Sequence, residues 1–370
     1  MLFLNVSQPE LYYLLNLYYV PGIGKITAKK LIEECGSASA IFSEKKNNLL
    51  KIKGISNTLA EKLKQPVNID IEKEIEILSK EKISYCSVVD SNYPKGLKQC
   101  PDAPLILFYK GILPDTNKRL ISIVGTRSAT NYGRENCEKF IEALKSYSVS
   151  IISGLAYGID ISAHQSAIKN NLHTVAVLGH GLKYIYPAQH KKVIPEILEN
   201  GCLLTEYPFE IKPDKENFPE RNRIISGLSE ATIIIEASSK GGALITARIS
   251  NGYHRDVFAF PGKTSDPYSK GCNLLIKNNE AALIEAAEDF IQMMGWNIEI
   301  NKKNIQRVLF SELDDQEQKI YNILEEKSEI TIDEISLNTM LTASETSVKL
   351  FSLEMKGLIK TLPGKKFRII

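Results

Sequence analysis

The stretch ATIIIEASSKGGALITA, residues 231–247, contains the unit that decides the fold. Its first half is a short β-branched run without polar interruption, which is typical of a strand buried on both faces of a parallel sheet. Two glycines, Gly241 and Gly242, then precede a segment with helical composition. A strand that passes through a glycine turn into a helix predicts an α/β protein.

Similar apolar runs lie on both sides of this stretch and alternate with helical patterns. Residues 134–147, for example, place their apolar side chains on one face at the spacing of an amphipathic helix. This alternation predicts a Rossmann-like, doubly wound, mostly parallel sheet that helices cover on both faces. The other predicted strands are residues 83–89, 104–109, 120–125, 149–153, 174–179, 202–207 and 256–262.

Residues 20–63 contain two similar phrases, VPGIGKITAKKLIEECG and LKIKGISNTLAEKL. Each combines a glycine turn with an amphipathic helix, and the pattern resembles a helix-hairpin-helix module, which contacts DNA backbones without reading sequence. Gly22, Gly24 and Lys25 are candidate phosphate contacts, because a helix start presents free N–H groups to an anion. The alternative is that the glycines only form a tight turn in a small helical domain.

The C-terminal region has the element order of a winged helix: helix, short strand, two helices and a hairpin turning at Pro363 and Gly364. Residues 314–370 contain ten acidic and eight basic side chains, a net charge of −2. Because duplex binding relies on phosphate neutralisation, this balance leaves three roles open: duplex DNA, a protein partner or a structural function. The predicted domains are residues 1–70 (helical), 71–296 (extended Rossmann-like), 297–312 (linker) and 313–370 (winged helix).

The overall composition limits the class of protein. The 370 residues are 43% hydrophobic and 24% charged, as in a soluble globular protein, and the net charge is +2. Nucleic-acid binding would therefore depend on a local patch. Six scattered cysteines without a CxxC pair or a histidine cluster predict a reduced, cytoplasmic chain without a metal site. No apolar run reaches the roughly 18 residues of a membrane span.

Glycines follow several predicted strands, where the ligand of an open α/β sheet binds. A glycine turn lets an anion approach the backbone, and the following helix start attracts negative charge. Five such turns on one edge, with Arg127, Lys240 and Lys263 beside them, predict an anion-binding crevice. The turns are Gly125-Thr126-Arg127-Ser128, Ser153-Gly154, Gly179-His180-Gly181, Lys240-Gly241-Gly242 and Pro261-Gly262-Lys263.

The stretch KENFPERNRIISG, residues 215–227, belongs to the same edge and adds an aromatic ring. Phe218, flanked by Lys215 and Arg221, suits stacking of an unpaired base while the cations hold its phosphates. Asn217 and Asn222 add polar contacts. The alternatives are that Phe218 anchors the core and that Arg221 and Arg223 pair with carboxylates.

Sequence fingerprints of catalysis are missing from the chain. The first turn is GTRSAT rather than GxGxxG, and neither a P-loop, GxSxG nor HExxH occurs, so no NAD, ATP or other cofactor is expected. Glu206 and Glu236 at strand ends could act as general bases, but hydrogen-bonded capping carboxylates are the favoured interpretation. His164 lies on an apolar helix face and is interpreted as a packed core histidine.

Six ordered motifs resemble the DNA-processing protein A family, DprA/Smf. The resemblance implies a non-enzymatic recombination mediator that binds and protects incoming single-stranded DNA during natural transformation. It also implies loading of the RecA recombinase and a homodimer formed through the Rossmann-like domain. The family's DNA pocket corresponds to Arg127, the Ser153-Gly154 turn, Lys215 and Phe218, with Arg221 and Asn222 in its RNR motif. The motifs are residues 124–133, 153–160, 176–187, 205–208, 218–247 and 260–276.

Two other classes stay open at this point. One is a nucleoside-monophosphate phosphoribohydrolase, whose relatives use a glycine-rich crevice with an Arg and a Glu. Glu236 and SKGGALIT fit that class, but its PGGxGT loop is missing. The other is a duplex-binding regulator that uses the winged helix and the helical hairpins.

Overall fold

The computed structural model describes residues 8–115, 118–296, 313–327, 330–356, 358–362 and 366–369. The chain divides into two compact units, of which the first ends at Trp296. The first unit contains both the helical and the α/β regions, so the domain boundary at residue 70 stays a prediction. The linker predicted for residues 297–312 and the hairpin turn predicted at Pro363 and Gly364 lie outside the described residues.

The N-terminal region is helical, as predicted. Its helices bury Leu14, Leu15 and Leu31 in a common core. Gly22 has a φ of 91°, which favours glycine, and it allows the tight connection between the first two helices. These helices are α1 (Gln8–Tyr19), α2 (Lys25–Cys35), α3 (Ala38–Ser43), α4 (Lys46–Leu49), α5 (Asn57–Lys62) and α6 (Ile71–Lys80).

The α/β region is built on a nine-stranded sheet with the order β1-β2-β6-β5-β4-β3-β7-β8-β9. The strands are β1 (Ser84–Ser87), β2 (Ile106–Gly111), β3 (Arg119–Val124), β4 (Val149–Ser153), β5 (His173–Val177), β6 (Gly201–Thr205), β7 (Ala231–Ile234), β8 (Asp256–Ala259) and β9 (Ala282–Leu283). Strands β3 to β9 are parallel to one another, whereas β1 and β2 form an antiparallel margin. The mostly parallel sheet is confirmed.

Helices cover both faces of the sheet. Successive residues of one strand enter opposite cores: Ile233 belongs to the core with Phe140, and Ile234 to the core with Leu244. This explains why the strands are continuously apolar. The helices are α7 (Lys95–Lys98), α8 (Asn131–Ala143), α9 (Ile159–Lys169), α10 (Ile194–Glu199), α11 (Asn217–Leu228), α12 (Gly242–Gly252), α13 (Lys270–Lys277) and α14 (Ala287–Met293), with 3-10 turns at Leu144–Ser146 and Ala188–Val193.

The strand order changes direction beside β3. The chain adds β4, β5 and β6 on one side of β3, then returns through α11 to place β7 on the other side. The carboxyl ends of β3 and β7 therefore flank a topological switch point, where open α/β sheets bind ligands.

The second unit has the predicted winged-helix order. Ile320, Leu324, Leu350 and Leu353 form its buried core. Three of its helices start with reciprocal capping boxes, the first between Asp314 and Glu317. Its elements are α15 (Asp315–Glu326), β10 (Ile330–Thr331), α16 (Ile332–Thr339), α17 (Ala343–Met355), β11 (Ile359–Leu362) and β12 (Lys366–Ile369).

Candidate nucleic-acid interface

An open cavity of about 540 Å³ lies at the switch point. The turn after β3 forms one wall, α11 and the residues before it form another, and the start of α12 forms a third. We call this cavity the switch-point crevice. Its polar and aromatic lining includes Thr126, Arg127, Asp160, Tyr186, Lys215, Phe218, Arg221, Asn222, Gly241 and Thr246.

The Phe218 ring is half-buried in this crevice and is held in place by its neighbours. A Cβ atom on Gly179 would lie 2.9 Å from the ring carbon Cδ1, so glycine there makes room for the ring. Tyr186 lies beside it, with ring centroids 5.5 Å apart and planes tilted by 32°. The ring is therefore packed against its neighbours yet is only half-buried and still borders the cavity.

Two exposed cations flank the ring. The Arg127 guanidinium carbon lies 6.0 Å from the Phe218 ring centroid, and Lys215 precedes α11 on the same cavity wall. Neither side chain forms an ion pair with any carboxylate in the described ranges. Both charges are thus available to an anionic ligand.

Arg221 has a different environment, because only 5% of it is exposed. Its guanidinium donates to the carbonyl oxygens of Gly154, which follows β4, at 2.7 Å, and of Val177, the last residue of β5. Burial lowers the pKa of Arg221 to about 10, and the attraction of Asp160 opposes this effect. Arg221 therefore connects two strand ends while it lines the cavity.

Gly154 is required by this arrangement. A Cβ atom there would lie 2.6 Å from Arg221 Nη2 and 2.7 Å from Asp160 Oδ2. Asp160 accepts hydrogen bonds from the N–H groups of Gly154 and Ala156, at 3.2 and 3.3 Å. Burial raises the pKa of this carboxyl group, although Arg221 counteracts the effect.

Several predicted residues do not line the crevice. In the predicted Ser153-Gly154 turn, the Ser153 hydroxyl is buried and donates to the Ile123 carbonyl oxygen at 2.7 Å, so this side chain is bound within the sheet. Asn217 begins α11 without lining the cavity, and Lys240 and Lys263 are exposed outside its walls. The structure brings together Arg127, Lys215, Phe218, Arg221, Asn222 and Gly241, while Gly154 borders a smaller adjacent hollow.

The phosphate contact predicted for Lys25 needs correction. Its ammonium nitrogen lies 3.2 Å from Glu206 Oε1 and 2.9 Å from Glu220 Oε2, so two carboxylates of this chain already neutralise it. Gly22 and Gly24 form the predicted turn before α2. Lys25 thus joins the helical region to α11.

The three residues considered for catalysis have structural partners. Glu236 is buried and accepts hydrogen bonds from the Thr130 N–H at 2.9 Å and hydroxyl at 2.5 Å, which confirms its capping role. Glu206 is buried against Arg223 instead, as the alternative for that arginine predicted. His164 is buried with Nδ1 2.7 Å from Thr174 Oγ1, and burial lowers its pKa to about 3.

Sequence reasoning missed Tyr157, Tyr186 and Asp160. Both tyrosines follow glycine-containing turns, in SGLAYGID and GHGLKYIYP. Their position after these turns could have indicated that they lie near the crevice. Asp160 could not have been found from the sequence, because its proximity to Arg221 depends on the tertiary fold.

No group of three metal-ligating side chains occurs among the residues that the structure describes. No helix in the described ranges is long and apolar enough to cross a membrane.

The winged-helix unit presents an apolar rather than a cationic helix face. Val348, Phe351 and Met355 on α17 are exposed. The two lysines at this helix are engaged: Lys349 lies 2.6 Å from Asp314, and Lys356 lies 2.7 Å from Glu317. This face lacks the free positive charge on which duplex binding depends.

Fold and site together define a Rossmann-like α/β protein with a cationic, aromatic switch-point crevice and a separate winged-helix unit. The family model for DNA recombination-mediator protein A matches residues 84–295, and the model for the DprA winged helix domain matches residues 311–365. The chain belongs to the DNA recombination-mediator protein A (DprA) family.

Individual relatives agree with this assignment. The chain is similar to Protein Smf of Synechocystis sp., with 30% identity covering 98% of this chain and 100% of that protein. It is also similar to DprA from Streptococcus pneumoniae, whose X-ray structure superposes with a TM-score of 0.66 at 33% sequence identity. This match covers 76% of this chain and 96% of the Streptococcus chain. A structure of DprA from Helicobacter pylori, described as showing a single-stranded DNA binding mode, is 30% identical with a TM-score of 0.52, covering 58% and 96%.

Proposed function

We propose that this chain binds single-stranded DNA in the switch-point crevice. The observation that carries the proposal is the fixed, half-buried Phe218 ring with two unpaired cations, Arg127 and Lys215, on the same cavity. An unpaired base offers a face for stacking and a phosphate for the cations, whereas a duplex hides its base faces. Such binding would be independent of sequence and sensitive to salt.

The wider role that we propose is that of a recombination mediator. The chain would protect incoming single-stranded DNA during natural transformation, load RecA onto it and act as a homodimer through the Rossmann-like domain, without catalysing a reaction. Membership of the family supports this role, and the single-stranded DNA binding described for the Helicobacter pylori relative supports the first step. Light scattering would test the dimer, and the rate of RecA filament nucleation on single strands would test loading.

Fluorescence anisotropy provides the direct test of DNA binding. A labelled oligo-dT and a duplex of the same length are titrated at two salt concentrations with the parent, Lys215→Glu and Lys145→Glu. Lys145 is an exposed matched control that follows α8 and precedes β4, at the opposite edge of the sheet. We expect salt-sensitive binding of the single strand that Lys215→Glu loses and Lys145→Glu largely retains. Equal loss in both variants, or equal or tighter duplex binding untouched by Lys215→Glu, would contradict the proposal.

The phosphoribohydrolase alternative has less support. Its candidate carboxylate, Glu236, is buried and occupied by two hydrogen bonds from Thr130. A Cβ atom on Gly133 would lie 2.2 Å from Glu236 Oε2, so the turn closes directly over this group. Release of free adenine from AMP, lost in Glu236→Gln, would establish the enzyme instead.

A further inference from the structure

A second, smaller hollow lies directly beside the switch-point crevice. Its volume is about 80 Å³, compared with about 540 Å³ for the switch-point crevice. The hollow shares several wall residues with the larger cavity, so the two are neighbouring compartments of one surface. The shared residues are Arg127, Ala156, Tyr186, Phe218 and Arg221.

Two exposed tyrosines line this second hollow. Tyr157 is 40% exposed and Tyr186 is 47% exposed, although both are large rings. Tyr186 also contacts Phe218 and lines the larger cavity, so it lies between the two compartments. Exposed rings at the margin of a cationic cavity are suited to stacking on unpaired bases.

The Tyr157 ring is immobilised from two sides. It packs edge-to-face on buried His190, with centroids 5.1 Å apart and planes at 73°. Its hydroxyl group donates to Gln189 Oε1 at 2.6 Å. His190 in turn lies with Nδ1 2.8 Å from the Leu155 carbonyl oxygen. Little side-chain entropy remains to be lost when a base stacks on this ring.

The loop that carries Tyr157 is also fixed against the loop that carries Arg127. Gly158 has a φ of 78°, and a Cβ atom there would lie 2.1 Å from the Thr126 carbonyl oxygen. The Ile159 N–H donates to that same oxygen at 3.2 Å. The fold therefore fixes the backbone of the Tyr157 loop relative to the backbone of the Arg127 loop.

We infer that Tyr157 and Tyr186 form a second nucleobase-stacking position beside Phe218. Successive unpaired bases of one strand would stack at the two positions, and Arg127, which borders both hollows, would bind the phosphate between them. This inference rests on the proposed function and specifies the path of the strand away from Phe218. The ligand is an unpaired stretch of DNA at least two nucleotides long.

The test compares Tyr157→Ala with Tyr157→Phe, which keeps the ring and removes only the hydroxyl group. Binding of labelled oligo-dT is measured at several salt concentrations. We expect Tyr157→Ala to weaken binding roughly 5- to 150-fold, the range for loss of one stacked base, with an unchanged salt slope. Tyr157→Phe should bind close to the parent. The unchanged slope distinguishes a lost stacking partner from a lost phosphate contact.

A second readout uses oligonucleotides with 2-aminopurine at single positions. In the parent, quenching should occur at both stacking positions, and Tyr157→Ala should lose one of them. Tyr157→Leu, which keeps an apolar side chain but no ring, tests the same position, so the inference does not depend on how well Tyr157→Ala folds. Tyr186→Ala also removes a neighbour of the Phe218 ring and should weaken binding at least as much. Parent-like affinity and quenching in a folded Tyr157→Ala or Tyr186→Ala would overturn the inference. A parent that binds no single strand would instead overturn the proposed function itself.

Discussion

Arg223 Nη2 lies 2.5 Å from Glu206 Oε2, and the two side chains are only 7% and 3% exposed. A buried charge left without its partner keeps its desolvation cost. We therefore expect Glu206→Ala to lower the free energy of unfolding by about 3–5 kcal/mol, measured by urea denaturation. Lys25→Ala removes a more exposed partner of the same carboxylate and should cost about 1 kcal/mol or less. If both variants lowered the free energy of unfolding equally, leaving Arg223 without its carboxylate would carry no extra cost, against the prediction.

The sequence predicts the sheet but not the contacts between residues that are distant in the chain. The parallel sheet could be predicted because strands buried on both faces are continuously apolar, as in residues 231–237. The antiparallel direction of β1 and β2 could not, since an apolar run does not reveal strand direction. Lys25 looked like a phosphate contact because its two carboxylate partners are 181 and 195 residues away in the sequence.

The candidate site was predictable in part for a similar reason. The carboxyl ends of parallel strands lie at one edge of the sheet, and Arg127, Lys215 and Phe218 lie beside such ends or at helix starts. Their residue types and positions were therefore enough to predict that they lie close together. The division of labour between arginines was not predictable: Arg221 binds backbone carbonyls of two strand ends, whereas Arg127 is free of carboxylates in the described ranges. Only the tertiary fold reveals which cation is buried.

Phe218→Ala should weaken single-strand binding by about 1–3 kcal/mol, because it removes one stacking platform. The slope of log affinity against log salt should stay unchanged, since the ring contacts no phosphate. Anisotropy with oligo-dT at several salt concentrations gives both quantities. Phe218→Tyr keeps the ring and is the matched control; equal weakening in both variants would contradict a stacking role.

Arg127→Ala should weaken binding at every DNA sequence. It should also reduce the slope of log affinity against log salt by about 1, the contribution of one phosphate contact. The reason is that this exposed guanidinium has no carboxylate partner within the described part of the chain and borders both hollows. Arg127→Lys keeps the charge and should retain most of the slope. A slope that Arg127→Ala leaves unaltered would mean that no phosphate lies at this position.

Gly179→Ala tests whether the position of the Phe218 ring matters for binding. The added methyl group would lie 2.9 Å from Phe218 Cδ1, so the ring must move. Because the contact is with the side chain of a half-buried residue, we expect weaker oligo-dT binding with a modest change in melting temperature. Gly252→Ala is the matched control, since nothing lies within 4 Å of its added atom and this residue ends α12 without lining the crevice. Parent-like affinity in Gly179→Ala would show that binding tolerates a displaced ring.

Acid should destabilise the protein through His164. Burial lowers the pKa of this imidazole in the folded state to about 3, below the ordinary value of 6.5. Between these pH values the unfolded state binds a proton that the folded state does not, so stability falls as the pH drops below 6.5 and levels off near pH 3. At pH 5 this proton contributes about 2 kcal/mol.

His164→Gln isolates this contribution, because glutamine does not titrate and the other buried histidines remain in both proteins. We expect the difference in unfolding free energy between parent and variant to change by about 2 kcal/mol between pH 7.5 and pH 5, in the direction that favours the variant at low pH. Urea denaturation at the two pH values measures it. A pH-independent difference would mean that His164 is protonated to the same extent in the folded and unfolded chains, against its complete burial beside Thr174.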